Sequence, residues 1–342
     1  MRKLATIRKI DEFKPIENAD AIEAALIDGW SVVVKKGEYK ENDMVVFFEI
    51  DSVLPEYPEF EFMRPRNFRV KTIKLRGQIS QGLVMPLSIL TAGKQIMGFP
   101  TPNLGDDVTE LLGVIKFEPK VHPSLGGKVK GNFPSFLHKT DEERVQNIKK
   151  ILRDNAGEWC YITEKLDGSS ATFYLKGDEF GVCSRNLDLK ETEDNLFWKT
   201  ARELNLEEKL RKAKEILGFD LAIQGELIGP NVQQNKYGLK ENDFRAFNLF
   251  NIEEQKFANF NGFLYVMNQI GVDTVPILDT LYELEDNVDA LVKKSIGQSM
   301  LNEGVKREGV VIRPIVEKEL DRFGRFSFKS INPEFLLKFQ EA

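Results

Sequence analysis

The sequence predicts an α+β protein in which a small N-terminal β-barrel precedes a larger mixed α/β domain. Residues 1–90 contain short apolar runs separated by turn residues, the pattern of short strands in a small barrel. Residues 92–134 are rich in glycine and proline, which indicates a connector. From residue 141 onward, helical and strand-like segments alternate. A chain of 342 residues is long for one core, and we expect domains at 1–120 and 121–342.

The local pattern predicts individual elements in both parts. The apolar runs at 30–34 and 44–48 predict strands of the barrel, and one helix is expected at residues 19–25. Apolar residues at helical spacing predict a second helix over 141–155, and another helix is expected near 192–216.

The composition is that of an ordinary water-soluble protein. The chain has 42% hydrophobic and 30% charged residues and a net charge of -6, so any basic surface must be local. Its apolar runs are too short to span a bilayer, and we expect a cytoplasmic monomer without a membrane partner. Cys160 and Cys183 lie in strand-like sequence and are expected to be small core residues rather than a disulfide framework.

Several familiar catalytic patterns do not occur in the sequence. It contains no G-x-x-x-x-G-K-[ST], no strand-led G-x-G-x-x-G and no H-E-x-x-H, and its only histidines are His122 and His138. Histidine-based triads and metal sites therefore do not fit this chain. If the protein is an enzyme, lysine and carboxylates must carry the chemistry.

Lys165 is the candidate nucleophile, in the stretch TEKLDGSS at 163–170. Aromatic and β-branched residues predict strands at 159–163 and 171–175, and residues 167–170 are turn formers. The lysine is therefore expected where a strand enters a turn. Taken alone, it is more simply explained as a charge that protects the edge of a hairpin.

Five further segments follow Lys165 in an order and spacing that resemble a known superfamily. They are CSRN at 183–186, IQGELIG at 223–229, FRAFNLF at 244–250, REGVVIRP at 307–314 and FSFKSIN at 326–332. With KLDGSS they resemble the covalent nucleotidyltransferases, which comprise ATP-dependent RNA and DNA ligases and RNA capping enzymes. The resemblance covers residues 142–338, and it implies an ATP-grasp-like ligase domain built on antiparallel sheets.

The resemblance implies that Lys165 is the nucleophile that takes AMP from ATP. Because a free lysine has a pKa of about 10.4, a nearby cation and partial burial must favour the neutral amine. Asp167, Glu226 and Glu308 are expected to supply oxygen ligands to Mg²⁺ or Mn²⁺, in part through water. These residues and Lys329 form the expected catalytic set, with ATP and the divalent ion as cofactors.

The resemblance also implies contacts to the nucleotide. Glu164 is expected to accept a hydrogen bond from the adenine amine, and Phe247 is expected to stack on the base. Arg185, Arg313 and Lys329 are expected to face the phosphates and the sugar, since guanidinium groups match phosphate oxygens.

Three further residues have two interpretations. Ser170 and Asn186 are expected to contact the ribose or a phosphate, but polar residues of turns are equally compatible with a structural role. Arg144, on the helix expected at 141–155, lies near the position where some RNA ligases contact the leaving group of ATP. Because acidic residues surround it in the sequence, a surface ion-pair network explains it nearly as well.

Two departures from the superfamily pattern narrow the prediction. DNA ligases and capping enzymes usually carry arginine where this chain has Ser170, which favours an RNA ligase. The last motif of many members is K-x-K, but here it contains Lys329 alone, and Arg325 and Lys338 are the candidates for the second position.

A stretch with six basic and no acidic residues lies between residues 62 and 85. We expect it to form a strand with a bulge after Thr72 and to bind a nucleic-acid backbone, although a basic run alone is more often a solvated face. Residues 7–51 resemble oligonucleotide-binding (OB) modules of the tRNA-binding type. The six basic residues are Arg64, Arg66, Arg69, Lys71, Lys74 and Arg76.

An OB-type module ahead of a nucleotidyltransferase domain resembles the RNA ligases that repair RNA-containing breaks in duplexes. We therefore expect an ATP-dependent RNA ligase that joins a 3′-hydroxyl to a 5′-phosphate through lysyl-AMP and RNA-adenylate. RNA, or a duplex that contains RNA, is the expected partner. The alternatives are a DNA ligase, a GTP-dependent capping enzyme and a catalytically inactive RNA-binding protein.

Overall fold

The computed structural model describes residues 3–91, 101–117, 128–321 and 323–339 of the chain. The chain divides into two units, of which one comprises Met1–Lys120 with Leu336–Ala342 and the other comprises Val121–Phe335. The expected domain boundary between residues 120 and 121 lies outside the described residues. No helix in the described ranges is long and apolar enough to cross a membrane.

The first unit, called the N-terminal unit below, is built from short strands. In chain order they are β1 Ala5–Lys9, β2 Glu12–Pro15, β3 Ile22–Ile27, β4 Trp30–Lys35, β5 Met44–Phe48, β6 Ser52–Val53, β7 Ile73–Leu75, β8 Gln78–Ser80, β9 Leu83–Pro86 and β10 Ile115–Lys116. One antiparallel sheet has the order β1-β5-β9 and another the order β2-β3-β4, while β6 pairs with β10 and β7 with β8. Side chains of β3, β4, β5 and β9 share one apolar core, which includes Trp30 and Phe47.

The helix expected at residues 19–25 is wrong, because strand β3 occupies most of this segment. β3 pairs with β4 along its whole length. Asp28 and Gly29, with φ angles of 51° and 85°, form the turn between the two strands. Hairpin pairing therefore overrides the local helical pattern.

The single bulged strand expected for the basic stretch is also wrong. A 3₁₀ helix spans Pro58–Arg66, and Arg69 forms only an isolated bridge to Val53. The β7–β8 hairpin follows, with Arg76 in the left-handed region at its turn (φ 48°). The chain reverses where the sequence pattern suggested a continuing strand.

The second unit, called the C-terminal unit below, contains most of the regular structure. Its strands are β11 Val129–Asn132, β12 Glu143–Arg144, β13 Trp159–Lys165, β14 Ser169–Lys176, β15 Glu179–Ser184, β16 Leu187–Leu189, β17 Leu221–Ile228, β18 Asp243–Asn251, β19 Lys256–Phe257, β20 Ile277–Glu283, β21 Gly309–Pro314, β22 Glu319–Leu320, β23 Gly324–Arg325 and β24 Phe328–Ile331. The helices of the chain are α1 Lys149–Asp154, α2 Leu196–Glu203, α3 Leu206–Leu217, α4 Phe260–Ile270, α5 Val288–Ser295 and α6 Pro333–Phe339.

Two large sheets organise the C-terminal unit. A seven-stranded sheet has the order β11-β16-β15-β14-β17-β18-β19, and a five-stranded sheet has the order β12-β24-β21-β13-β20. Neighbouring strands pair antiparallel as expected, apart from the parallel pair of β12 and β24. Phe173 and Ile223 of the seven-stranded sheet pack with Leu210 of α3. Ile312 of the five-stranded sheet packs with Leu291 of α5.

Both helices predicted for the C-terminal unit also differ from the structure. The helix expected at 141–155 begins only at Lys149, because residues 143 and 144 instead form β12 and pair with β24. The helix expected near 192–216 is two helices, α2 and α3, separated at Asn205, whose φ of 53° is left-handed. Cys160 and Cys183 are both buried and free, which confirms the prediction for the cysteines.

The strands expected on either side of Lys165 are confirmed as β13 and β14, but they do not form a hairpin. β13 lies between β21 and β20 in the five-stranded sheet, whereas β14 belongs to the seven-stranded sheet. Lys165 therefore ends an interior strand at the point where the chain crosses from one sheet to the other. The explanation of this lysine as an edge charge of a hairpin is wrong.

Candidate active site

Lys165 and Glu308 lie side by side although 143 residues separate them. The antiparallel pairing of β13 and β21 places Lys165 opposite Gly309, the residue after Glu308. Lys165 Nζ donates a hydrogen bond of 2.6 Å to Glu308 Oε2, and the two side chains are 25% and 15% exposed. A Cβ atom on Gly309 would lie 2.2 Å from the Ser330 carbonyl oxygen, so the close approach of β21 and β24 requires glycine here.

Glu226 reaches the same place from the seven-stranded sheet. β17 pairs with β14, which places Glu226 opposite Ser170. The backbone N–H of Gly168 donates to Glu226 Oε1 at 3.1 Å. A Cβ atom on Gly168 would lie 2.3 Å from the Leu227 carbonyl oxygen, and so only glycine fits at this point of the crossing.

The carboxylates around Lys165 stabilise its charged form. Burial lowers the pKa of Lys165, but Glu308, Glu226 and Asp167 raise it more, so that the net pKa lies above its ordinary value. Burial also raises the pKa of Glu226 to about 8 and raises that of Glu308. A nucleophilic amine at Lys165 therefore requires a redistribution of these charges, such as a cation bound by the carboxylates.

Asp167 is held by two residues that sequence analysis did not identify. The ammonium group of Lys236 forms an ion pair with the Asp167 carboxylate, and the Lys236 side chain is only 8% exposed. The backbone N–H of Asp167 donates to Tyr237 Oη at 2.7 Å. Both residues lie in the loop between β17 and β18, where the sequence gives no signal that distinguishes a buried lysine from a solvated one.

The predicted metal ligands fit a hydrated divalent ion rather than a direct cage. Asp167, Glu226 and Glu308 offer hard oxygen donors, which suit Mg²⁺ or Mn²⁺. Within the described part of the chain, however, no three acidic, histidine or cysteine side chains are close enough to hold an ion directly. These carboxylates would therefore bind the ion in part through its waters, as magnesium sites commonly do.

Glu164 and Phe247 lie where a purine base could be recognised. Glu164 is 1% exposed, and its Oε2 atom accepts a hydrogen bond of 2.8 Å from the backbone N–H of Met300. Its Oε1 atom is buried, and no donor among the described residues bonds to it. Because a buried carboxylate oxygen is costly without a donor, this atom fits an exocyclic amine. Phe247 packs beside Leu166 and Ile228 at the sheet crossing.

Arg313 joins the two sheets through an internal network. It is 2% exposed. Its Nη2 donates to Glu142 Oε1 at 2.9 Å, Nη1 to the Phe247 carbonyl oxygen at 3.1 Å, and Nε to Ser327 Oγ at 2.9 Å. Burial raises the pKa of Glu142, but Arg313 and Lys329 lower it more, to about 2. The structure thus gives Arg313 a bracing role, and its expected contact with the phosphates stays a prediction.

Arg144 and Lys329 lie opposite each other on β12 and β24. Arg144 is 6% exposed and belongs to a strand, so its placement on a surface helix, and the surface ion-pair explanation, are wrong. The Lys329 charge lowers the pKa of both Glu142 and Glu308. The positive charge of Lys329 therefore acts on Glu308, the carboxylate that accepts the hydrogen bond from Lys165.

Arg325, one candidate for the second position of the last motif, is held by other side chains, and its assignment stays a prediction. Its guanidinium group bonds to Glu317 and to Asn248 Oδ1, and it lies 3.8 Å over the ring of Phe257. These partners make it part of the contact between β18, β19 and the residues around β23. Lys338 lies in α6, within the segment that belongs to the N-terminal unit.

Ser170, Arg185 and Asn186 are all contacted by one short segment, residues 139–141. Ser170 lies in β14, and Arg185 directly follows β15 and is 51% exposed. The segment therefore covers three predicted nucleotide contacts. The pairs are Lys139 Nζ with Asn186 Oδ1 at 3.0 Å, Thr140 Oγ with Ser170 Oγ at 3.1 Å, and Asp141 with Arg185 in an ion pair.

The six basic residues of the N-terminal unit do not form one exposed stripe. Arg69 is buried, forms an ion pair of 3.0 Å with Asp51 and lies 3.5 Å over the ring of Phe117. Lys71 is partly buried, and burial lowers its pKa. The interpretation of Arg69 as a backbone contact is therefore wrong, because its charge is held inside the unit, whereas that of Lys71 stays a prediction. The exposed members are Arg64, Arg66, Lys74 and Arg76, of which Arg64 pairs with Glu61 at 2.5 Å.

Comparison with known proteins agrees with this architecture. A family model described as RNA ligase matches residues 158–331, and an OB-fold domain model matches residues 4–87. The structure of a Naegleria gruberi RNA ligase with pyrophosphate is 38% identical, with a TM-score of 0.85 over 100% of both chains. No curated protein matches the sequence.

Two further structures of the Naegleria gruberi RNA ligase are similar to the same extent. A lysine-to-alanine variant with ATP and Mn is 38% identical, with a TM-score of 0.86 over 99% of this chain and 100% of the other. A glutamate-to-alanine variant with AMP and Mn is 38% identical, with a TM-score of 0.86 over 100% of both chains.

The two antiparallel sheets that meet at Lys165, together with these similarities, define a covalent nucleotidyltransferase. Within that superfamily, the chain belongs to the RNA ligase family. The expected fold class, the N-terminal OB-fold domain and the assignment as an RNA ligase are thereby confirmed.

Proposed function

We propose that this ATP-dependent RNA ligase seals RNA-containing nicks in duplexes, with Lys165 as the residue that carries AMP. ATP is the nucleotide, and Mg²⁺ or Mn²⁺ is the divalent ion. The observation that carries the proposal is the placement of Lys165 at the crossing between two sheets. Its Nζ atom lies 2.6 Å from Glu308 Oε2, and the charges of Glu226 and Asp167 raise its pKa.

In the first step, the Lys165 amine attacks the α-phosphorus of ATP. A P–N bond forms, the bond between the α-phosphorus and the oxygen that bridges to the β-phosphate breaks, and pyrophosphate leaves. Glu308 holds Nζ in place through its hydrogen bond, and the ammonium proton must leave before the attack. Positioning of this kind supplies much of the rate in phosphoryl and nucleotidyl transfer.

In the second and third steps, AMP passes from Lys165 to RNA and is then displaced. An oxygen of the RNA 5′-phosphate attacks the phosphorus of lysyl-AMP, which breaks the P–N bond and forms RNA-adenylate. The 3′-hydroxyl of the neighbouring strand next attacks the 5′-phosphorus and gives up its proton. The phosphodiester bond forms, the P–O bond between the 5′-phosphorus and AMP breaks, and AMP leaves. Lys165 is then free to react with another ATP.

The carboxylates and cations around Lys165 have distinct proposed roles. A divalent ion held by Asp167, Glu226 and Glu308 supplies positive charge that favours the neutral amine and stabilises the phosphate oxygens. Lys329 and Arg185 are proposed to bind the nucleotide phosphates, together with Arg144 and Arg313, while Ser170 and Asn186 bind the ribose or a phosphate.

Base recognition is proposed to depend on Glu164 and Phe247. The orphaned Oε1 atom of Glu164 accepts the adenine exocyclic amine, which a guanine base does not offer at that position. The Phe247 ring stacks on the base. This proposal predicts a preference for ATP over GTP in adduct formation, which separates the ligase from a capping enzyme.

The N-terminal unit is proposed to bind the RNA-containing duplex. Its OB-fold domain carries the exposed basic side chains of Arg66, Lys74 and Arg76. We propose that residues 1–120 hold the nucleic acid, that residues 121–342 carry the transferase chemistry, and that the enzyme works as a monomer in the cytoplasm.

Sealing assays with matched substrates test the proposed function. A duplex whose nick has ribonucleotides at the 3′-hydroxyl side is compared with an all-DNA nick and with two free single strands. We expect the ribonucleotide nick to be sealed fastest, because a 2′-hydroxyl lets a protein distinguish RNA from DNA. Equal rates on all three substrates would remove the nick and RNA preference, while leaving adenylylation by ATP intact.

A further inference from the structure

Lys236 forms the most deeply buried ion pair with a predicted metal ligand in the described part of the chain. Its side chain is 8% exposed, against 19% for its partner Asp167. The ammonium nitrogen also lies 5.3 Å from the ring centroid of Phe335. Lysine is rarely buried to this degree unless a specific partner holds it, and the Asp167 carboxylate is one such partner.

The loop that carries Lys236 has an unusual backbone. Four non-glycine residues close to it have left-handed φ angles, a conformation that costs free energy and persists only when the surroundings enforce it. The four are Asn231 at 63°, Gln233 at 41°, Gln234 at 61° and Asn235 at 49°. This geometry delivers Lys236 and Tyr237 together onto Asp167.

Side-chain hydrogen bonds fix the loop on both sides of Lys236. The Asn235 side chain bonds to the backbone N–H and carbonyl oxygen of Leu239, at 3.0 and 2.8 Å. Asn302 Nδ2 donates to the Tyr237 carbonyl oxygen at 3.1 Å, and Tyr237 Oη accepts from the Asp167 N–H. Lys236 is therefore presented by a fixed backbone and does not reach Asp167 as a flexible surface lysine would.

Two ammonium groups thus accompany the three carboxylates at the sheet crossing. Lys165 bonds Glu308, and Lys236 pairs with Asp167. The same carboxylates are the proposed ligands of the divalent ion. A tethered ammonium and a divalent ion that share a carboxylate repel each other, and the repulsion is stronger at a partly buried position than in bulk water.

We propose that Lys236 is a tethered counter-cation that keeps the metal affinity of the nucleotide-free enzyme low. Metal binding then depends on the additional negative charge that the ATP phosphates bring. Lys236 is thus a positioning residue, since it acts on the reaction through Asp167. This inference rests on the proposed assignment of Asp167, Glu226 and Glu308 to the divalent ion.

The test measures binding of Mn²⁺ alone to the nucleotide-free protein by electron paramagnetic resonance. We expect Lys236→Met to bind Mn²⁺ about tenfold more tightly than the wild type, since a unit charge near the ion is removed. Lys236→Gln, which keeps a donor but not the charge, should bind more tightly as well. Lys236→Arg should stay within about twofold of the wild type, because the charge is kept.

Lys240→Met is the matched control, because Lys240 is an exposed lysine of the same loop region. It removes the same net charge and should leave Mn²⁺ affinity within about twofold of the wild type. Asp167→Asn should abolish the gain when combined with Lys236→Met. Circular dichroism and thermal melting of each variant establish that it is folded, and Lys236→Gln remains as the test if Lys236→Met does not fold.

The outcomes separate this inference from the proposed function. If Mn²⁺ binds the wild type and Lys236→Met equally, or binds the variant more weakly, the counter-cation role is overturned while the metal site stands. If no variant binds Mn²⁺, the inference and the assignment of the three carboxylates both fail. Adenylylation of Lys165 by ATP, which tests the proposed function, is measured separately.

Discussion

The ion pair of Glu142 and Arg313 makes a quantitative prediction about stability. The perturbation is Glu142→Gln, which removes the negative charge but keeps an oxygen that can accept from Arg313 Nη2. The Glu142 pKa falls from 4.5 to about 2 in the folded protein, and each unit is worth about 1.4 kcal/mol. The variant should therefore be less stable by about 3 kcal/mol, in the range found for broken buried pairs.

Asp141→Asn is the control for this prediction. Asp141 precedes Glu142 in the chain and pairs with Arg185, but the side chains of this pair are 59% and 51% exposed. An exposed pair contributes about 0–1 kcal/mol, so the control should change the free energy of unfolding by no more than that. The two variants lose the same charge, one in the interior and one in solvent.

The assay is equilibrium urea unfolding at several pH values. Because the Glu142 pKa is lowered by folding, its contribution is complete above the unfolded pKa of 4.5 and is lost as the pH falls toward about 2. The difference between wild type and Glu142→Gln should thus be constant from about pH 7 to 5 and shrink below about 4.5. A Glu142→Gln variant that is no less stable than Asp141→Asn would refute the bracing role.

Three other predictions concern the nucleotide and RNA sites. Phe247→Ala should raise the ATP concentration required for adenylylation by about 5- to 150-fold, the equivalent of about 1–3 kcal/mol of stacking. Phe247→Tyr should stay near the wild type. An unchanged ATP requirement in Phe247→Ala would remove the stacking role. Replacing Arg66, Lys74 and Arg76 by alanine should weaken RNA binding and reduce the slope of log affinity against log salt by about 0.7–0.9 for each lost phosphate contact. Adenylylation should be unaffected. An unchanged slope would show that these exposed cations are solvated and do not contact RNA. Gly168→Ala should abolish adenylylation, because its Cβ would lie 2.3 Å from the Leu227 carbonyl oxygen; a variant with normal adduct formation would show that the crossing between the sheets is not tightly constrained.

The central carboxylates were predictable because they belong to local patterns. Lys165 and Asp167 both belong to KLDGSS, and Glu226 and Glu308 belong to IQGELIG and REGVVIRP, which follow it in the order of the superfamily's motifs. The pairing of β13 with β21 and of β14 with β17 then converts this order into proximity. The order of these motifs in the sequence therefore predicts which side chains meet in the active site.

Other parts of the site depend on contacts that no local pattern encodes. Lys236 and Tyr237 stand in a polar loop whose burial arises only when it folds onto Asp167. In the sequence, Glu142 is one of several neighbouring acidic residues. In the fold, it is the counter-ion of Arg313, which lies 171 residues later in the chain. The local periodicity continues through Arg144 and predicts a helix there, whereas pairing with β24 places this residue in a strand.

The N-terminal unit shows the same division between local and tertiary information. The apolar runs at 30–34 and 44–48 form strands β4 and β5, as predicted. Arg69 and Lys71 stand in a run of positive charges, and sequence alone could not show that Asp51 neutralises Arg69 inside the fold. The charge of a stretch is a property of the sequence, but its exposure is decided by packing.

Adenylylation of Lys165 is the measurement that most directly tests the account. The protein is incubated with labelled ATP and Mg²⁺ or Mn²⁺ and then separated under denaturing conditions, with Lys165→Ala, Lys165→Arg and Lys240→Met beside the wild type. We predict an acid-stable, hydroxylamine-resistant protein–AMP adduct in the wild type and in Lys240→Met, and none in either Lys165 variant, because a guanidinium group retains its proton. An undiminished adduct in Lys165→Ala would contradict the assignment of this lysine as the nucleophile.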